Sequence, residues 1–226
     1  MYHGVPIFCT GGIHEGIFEA FQKRNKSKDC AILVLGSGPG AFERRLLDHG
    51  YTNITSVEFV AEHFMVTGTK FFPRDLNQDF ADLGTFDAIF AIELIEHLEN
   101  QFHFMRNVRS MMKPESVFYL STPNVESGFA RIKYALTGRL QYFGPGELAG
   151  TGHITPIFNH ILRFNLDQNG LAVAKHFTNA NVWSKPLHYK NILIRMAYVA
   201  MFCVSACLPN KNTFEISLFE IVHKKD

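Results

Sequence analysis

Cysteine is scarce in this sequence, and the four that occur, Cys9, Cys30, Cys203 and Cys207, form no C-x-x-C pair and no zinc-ligand spacing. That excludes a disulfide scaffold and a zinc ribbon, and fits reduced, mostly buried thiols in a cytoplasmic protein. An excess of one charge is lacking too. Lys and Arg number 22 against 21 Asp and Glu, a formal net charge of +1, so no overall field holds a polyanion such as nucleic acid. Arg131, Lys133 and Arg139 could still form a local basic patch. No apolar run reaches the roughly 20 residues that span a bilayer. The longest, Met196–Leu208, reads as a helix lying in the core or at an interface, with the core the stronger expectation. Peripheral membrane contact therefore stays open. Met1-Tyr2-His3-Gly4-Val5-Pro6 shows no basic stretch leading into an apolar one, so no secretory signal is expected. Repeats and low-complexity tracts are absent as well. What is present is an ordinary globular balance, 46% hydrophobic and 19% charged, consistent with a single domain over residues 1–226.

The chain is organised around Ile32-Leu33-Val34-Leu35-Gly36-Ser37-Gly38-Pro39-Gly40, an apolar run that breaks into alternating glycines before the helical stretch 41–49. A buried strand, a tight turn and a helix N-terminus follow from this pattern. Glycine lets the backbone take positive φ and approach a ligand closely, and free N–H groups at a helix start attract an anionic group. Gly36, Gly38 and Ala41 also satisfy the dinucleotide pattern G-x-G-x-x-G/A, so the loop alone does not choose between cofactors, and a purely structural turn is compatible with it. The next strand-like run, Ile54-Thr55-Ser56-Val57-Glu58, ends in a carboxylate about 20 residues on, where a ribose diol is held.

Segments of alternating type fill the rest. Residues 1–30 form a lead-in helix around Ile17, Phe18 and Phe21, with His14 either facing the cofactor pocket or capping the helix. Residues 31–122 form a cofactor-binding core, with strands ending near Glu58, near Asp75-Leu76, at 86–92 and at 117–121, and helices predicted over 60–70 and 102–112. Residues 123–156 read as a glycine-containing insertion or lid. Residues 157–226 supply C-terminal helices and two closing strands, 171–177 and 214–222. The predicted fold is α/β: a Rossmann-like, mostly parallel seven-stranded sheet with helices on both faces. Glu58, Asp75, Glu93 and Thr122 should then gather along the carboxyl edge of its strands.

The stretch Glu93-Leu94-Ile95-Glu96-His97-Leu98 follows the fourth strand. In a helical turn Glu93, Glu96 and His97 share one face, and His153 in the insertion can join them. Two carboxylates with imidazole suit a divalent ion, Mg²⁺, Mn²⁺ or Zn²⁺, or a base with an orienting acid. Such clusters also occur as plain solvated faces.

Taken together, Val34–Gly40, Glu58, Asp75-Leu76, Glu93–Leu98 and Ser121-Thr122-Pro123-Asn124 resemble the class I S-adenosylmethionine-dependent methyltransferases, over roughly residues 10–125 and again at the closing strand. The resemblance implies that Gly36, Ser37, Gly38 and Gly40 face the amino-acid part of S-adenosylmethionine. It further implies that Glu58 binds the ribose hydroxyls and that Asp75 with the Leu76 backbone meets adenine, with Glu93 beside them. One departure stands out: Val34 occupies the place, two before the first glycine, where the family usually carries an acid. Glu93-x-x-Glu96-His97 is similar to both ubiquinone-pathway O-methyltransferases and small-RNA 2′-O-methyltransferases. The insertion looks more like bacterial small-molecule and glycan- or lipid-linked methyltransferases. The expectation is O-methylation of such an acceptor, with Glu96 and His97 catalytic and Glu93, Glu96, His97 and His153 as metal ligands. RNA 2′-O-methylation and nicotinamide-dependent oxidoreduction are the alternatives. Oligomeric state is not legible.

Overall fold

The computed structural model describes residues 1–24, 27–178 and 215–225, together with helical positions 192, 196, 199, 200, 203 and 204. Seven strands form one sheet: β1 (Ile32–Leu35), β2 (Ile54–Glu58), β3 (Lys70–Pro73), β4 (Phe86–Ile92), β5 (Met112–Pro123), β6 (Leu171–Thr178) and β7 (Ile216–His223). Their order is β3-β2-β1-β4-β5-β7-β6. β1 to β5 pair in parallel, and β7 runs antiparallel to both of its neighbours.

The apolar run of β1 is buried on both sides, as a strand covered by helices on each face must be. Period-two alternation then divides it. Ile32 and Val34 enter one core with Ile13, Ile17, Phe18 and Phe21 of α1 (Ile13–Arg24) and Phe42 and Leu46 of α2 (Ala41–Asp48). Leu33 and Leu35 enter the other with Phe104, Met105 and Val108 of α3 (Gln101–Met111) and Leu162 and Leu166 of α6 (Asn159–Gln168). In the first core Phe90 stacks on Tyr119 with ring centroids 4.9 Å apart. Each such buried ring contributes about 1.5–3 kcal/mol of burial energy.

The register pairs Leu35 with Ala91, so the turn after β1 and the residues after β4 emerge side by side at the carboxyl edge. This is the geometric premise of the site.

Several expectations are corrected. Residues 60–70 hold only a 3₁₀ turn, Ala61–His63, because Val60, Val66, Thr67, Gly68 and Thr69 are poor helix formers. The insertion is not loose throughout. It contains α4 (Gly128–Thr137), capped by Ser127 whose Oγ accepts from the Ala130 N–H at 3.1 Å, and α5 (Pro145–Gly150). Cys9 and Cys30 are only half-buried, and Cys203 is exposed. In the apolar stretch Met196–Leu208 the described residues Met196, Val199, Ala200, Cys203 and Val204 are exposed rather than in the core. The aromatic residues Trp183 and Tyr189 lie outside the described residues. Among the described residues, no helix is long and apolar enough to cross a membrane.

Candidate functional site

The turn after β1 is built on left-handed glycines, with φ of 68° at Gly36, 51° at Gly38 and 92° at Gly40. A Cβ at Gly36 would come within 2.8 Å of Leu94 Cδ1, and one at Gly40 within 2.7 Å of Val66 Cγ2. Gly38 differs: its nearest neighbour would be Phe8 at 3.7 Å, and it lines a cavity of about 870 Å³. Ser37 lines it too and donates its N–H to the Val57 carbonyl at 3.0 Å, tying the turn to β2. Glu58 closes the arrangement. Its carboxylate accepts from the Gly38 N–H at 2.7 Å and from the Val60 N–H at 3.2 Å. Asp75 and Leu76 line the cavity just beyond β3, with Asp75 accepting from the Asn77 N–H at 2.9 Å. The six predicted residues Gly36, Ser37, Gly38, Glu58, Asp75 and Leu76 thus meet at one cavity. Gly40 does not line it; Gly40 starts α2 and lets Phe64 and Val66 pack against the turn.

On the β4 side the expected single helical turn does not form. The chain leaves β4 through Glu93 at φ 52°, and only then makes a 3₁₀ turn, Ile95–His97. The Glu93 N–H is held by Ser121, 3.0 Å from its Oγ and 3.2 Å from its carbonyl. The ligand atoms of Glu96, His97 and His153 lie within 4.8 Å of one another. Glu93 falls outside that group because its left-handed backbone breaks the helical spacing. It lines the cavity instead, together with His97 and His153.

Glu96 is fully buried; its Oε2 accepts from Thr122 Oγ1 at 3.1 Å while Oε1 has no partner among the described residues. Its backbone carbonyl accepts from the N–H groups of Ile154 and Thr155, fastening the insertion to the 3₁₀ turn. Both imidazoles are oriented the same way. Nδ1 of His97 donates to the Gly152 carbonyl at 3.2 Å and Nδ1 of His153 to the Tyr142 carbonyl at 2.9 Å. A carbonyl only accepts, so the proton sits on Nδ1 and a neutral ring keeps its lone pair on Nε2.

Burial pushes the Glu93 carboxyl well above the carboxylate range, against a hydrogen bond from the Thr10 backbone. Glu96 is pushed up by burial and then by the charge of Glu93. A charge on Glu93 therefore opposes ionisation of Glu96. His97 is held below its ordinary value by burial and by His153.

Three further residues line the cavity: Cys9 and Thr10, which carried almost no sequence signal, and His14, for which facing the cofactor pocket was one of two expectations. Cys9 and Thr10 come from the segment before α1, ahead of the Gly11-Gly12 turn that was their one signal. His14 is buried in the wall, edge-on to Phe42 at 5.3 Å, rather than capping its helix; burial, then Arg45, pushes it down to about 4.

A family model for a methyltransferase domain matches residues 13–176. The EEF1A lysine methyltransferase 2 of Danio rerio is 24% identical over 151 residues, 54% of this chain; the match spans only 64% of that relative's length. A methyltransferase structure from Archaeoglobus fulgidus superposes with a TM-score of 0.61 at 16% identity, covering 95% of each chain. The magnesium protoporphyrin IX methyltransferase of Synechocystis, solved with S-adenosylhomocysteine, gives 0.59 at 13% identity, covering 93% of this chain and 83% of that one.

Proposed function

Because the chain belongs to the methyltransferase-domain family, we propose that it uses S-adenosylmethionine to methylate a hydroxyl of a small-molecule or lipid- or glycan-linked acceptor. The observation that carries this reading is the single cavity joining the glycine turn and Glu58 to His97 and His153. A cofactor and an acceptor can meet in it. The Synechocystis enzyme, which holds the cofactor product on the same fold, supports the choice of cofactor.

In the proposed reaction Gly36, Ser37 and Gly38 receive the methionine end, Glu58 exchanges its loop hydrogen bonds for the ribose hydroxyls, and Asp75 with Leu76 flanks adenine. The acceptor oxygen attacks the sulfonium methyl in line; the C–O bond forms as the C–S bond breaks, and S-adenosylhomocysteine leaves. The acceptor proton passes to Nε2 of His97, whose ring is fixed by Gly152. Alignment in the closed cavity supplies much of the rate.

Glu96, His97 and His153 also fit a divalent ion. They offer one orphaned carboxylate oxygen and two Nε2 lone pairs, although 4.8 Å is wider than the roughly 3.5 Å between ligands of a tetrahedral site, so the group must close on the metal. Mg²⁺, Mn²⁺ or Zn²⁺ bound there would lower the pKa of a coordinated hydroxyl. An amine acceptor is the second reading, favoured by the lysine methyltransferase relative and by Glu93, a carboxyl in the cavity wall that can meet an ammonium.

Calorimetry tests the proposal. S-adenosylhomocysteine should bind saturably and NADH should not, with Glu58→Ala weakening binding by about tenfold or more. Zn²⁺, Mn²⁺ or Mg²⁺ titrated into the saturated protein should bind, and binding should vanish in Glu96→Ala with His97→Ala. Failure to bind S-adenosylhomocysteine would remove the methyl-transfer reading. Absence of metal binding alone would leave His97 as the base.

A further inference from the structure

We propose that this protein docks on an anionic phospholipid surface, through exposed apolar side chains of its C-terminal segment and of the insertion. The inference rests on the methyl-transfer reading only for what is reached there, a lipid-linked acceptor.

Ile192, Met196, Val199 and Val204 are helical, and they are 65%, 63%, 40% and 55% exposed. By sequence spacing alone, steps of four and three residues set the first three on one stripe, and a soluble protein ordinarily turns such a stripe to its core. These side chains face outward. The sequence around it is one-sided in charge: from 179 to 214 it holds Lys185, Lys190, Arg195 and Lys211 and neither Asp nor Glu, leaving the rest of the chain net negative. Exposed apolar positions in a basic, acid-free stretch, with Trp183 and Tyr189 nearby in sequence, are the composition of a helix that lies in a headgroup layer.

The insertion repeats the combination around α4. Tyr134 and Leu136 are exposed, Arg139 just after the helix is exposed too, and residues 127–146 contain no acid; Leu148 on α5 is exposed as well, next to Glu147. The same insertion supplies Tyr142, Thr151 and His153 to the cavity wall. Seating it on a bilayer brings the acceptor side of the cavity to the interface. A second copy of the chain is the poorer occupant, since two like-charged faces repel.

Cosedimentation tests the proposal, with vesicles of phosphatidylcholine alone and with about one-third phosphatidylglycerol. The full chain should bind the anionic vesicles, bind neutral ones far less, and lose binding as salt is raised. Met196→Asp with Val199→Asp, and separately Leu136→Asp with Leu148→Asp, should each cut binding about tenfold or more. Lys133→Ala and Arg139→Ala should cost about fivefold each. Melting temperature and S-adenosylhomocysteine affinity should stay unchanged in all of them. No binding to anionic vesicles, or Asp variants that bind as well as the parent, would overturn the proposal. So would Asp variants that unfold the protein or dissolve a dimer seen by sedimentation velocity, since the stripe would then be packed on protein. Vesicle binding without S-adenosylhomocysteine binding would keep the docking and remove the methyl-transfer reading.

Discussion

Glu43 is a carboxyl placed where chemistry alone would not put one. It sits in the first turn of α2, fully buried. Burial pushes its pKa up to about 7; the Ser37 and Ser56 hydroxyls pull the other way, and Glu58 adds to the rise. A folded-state pKa above the unfolded one gives stability that is full below the unfolded value and is lost as pH rises through the folded value. Glu43 should therefore weaken the fold between about pH 4.5 and 7, by roughly 3 kcal/mol once fully ionised. Denaturant titrations at pH 5 and pH 8 check this: Glu43→Gln should show the smaller difference between the two. Because Glu43 lies behind Ser37 and Glu58, the cofactor turn shares in that cost.

At the scale of elements, the three glycines of the turn after β1 have separable duties. Gly40→Ala forces a left-handed Cβ into Val66 and Phe64, and should destabilise the protein by about 1–3 kcal/mol with cofactor-product affinity largely kept in the folded fraction. Gly38→Ala carries the left-handed strain but meets little protein, so it should cost less stability than Gly40→Ala, while its methyl beside the cavity should lower S-adenosylhomocysteine affinity where Gly40→Ala does not. Thermal melts and calorimetry on the two variants separate these outcomes.

The strands were legible because each is an apolar run bounded by Gly, Pro or polar residues, and the parallel order followed from their alternation with helices. Glu58 and Asp75 could be placed for the same reason, since a strand end fixes where its next side chain goes. Glu93 could not. Nothing local marks a left-handed glutamate, which is held by Ser121 from a neighbouring strand. His153 was reachable only as a candidate, because a hydrogen bond to the Tyr142 carbonyl orients it. The helix expected over 60–70 failed on local grounds, since Val60, Val66, Thr67, Gly68 and Thr69 are poor helix formers.

Across the whole molecule, the sheet is completed out of sequence order. β7, from the end of the chain, fills the gap between β5 and β6, and its Arg24–Glu220 ion pair at 2.8 Å joins the end of the chain to α1. Folding must therefore wait for its last strand, and contacts of such long sequence separation slow folding.

The pairing of Thr178 with Ser217 sets the two ends of the intervening stretch one rung apart. To the sheet, that stretch is a cassette: it enters and leaves through a doorway no wider than a hairpin. Exchanging residues 179–214 for Asn-Gly would leave Asn-Gly-Glu-Ile as a four-residue loop of ordinary length. The trimmed chain should keep its melting transition and bind S-adenosylhomocysteine while losing its hold on anionic vesicles. The part of the address carried by this stretch would then be inherited separately from the chemistry, and a related chain could change the surface it visits without rebuilding the room in which it reacts.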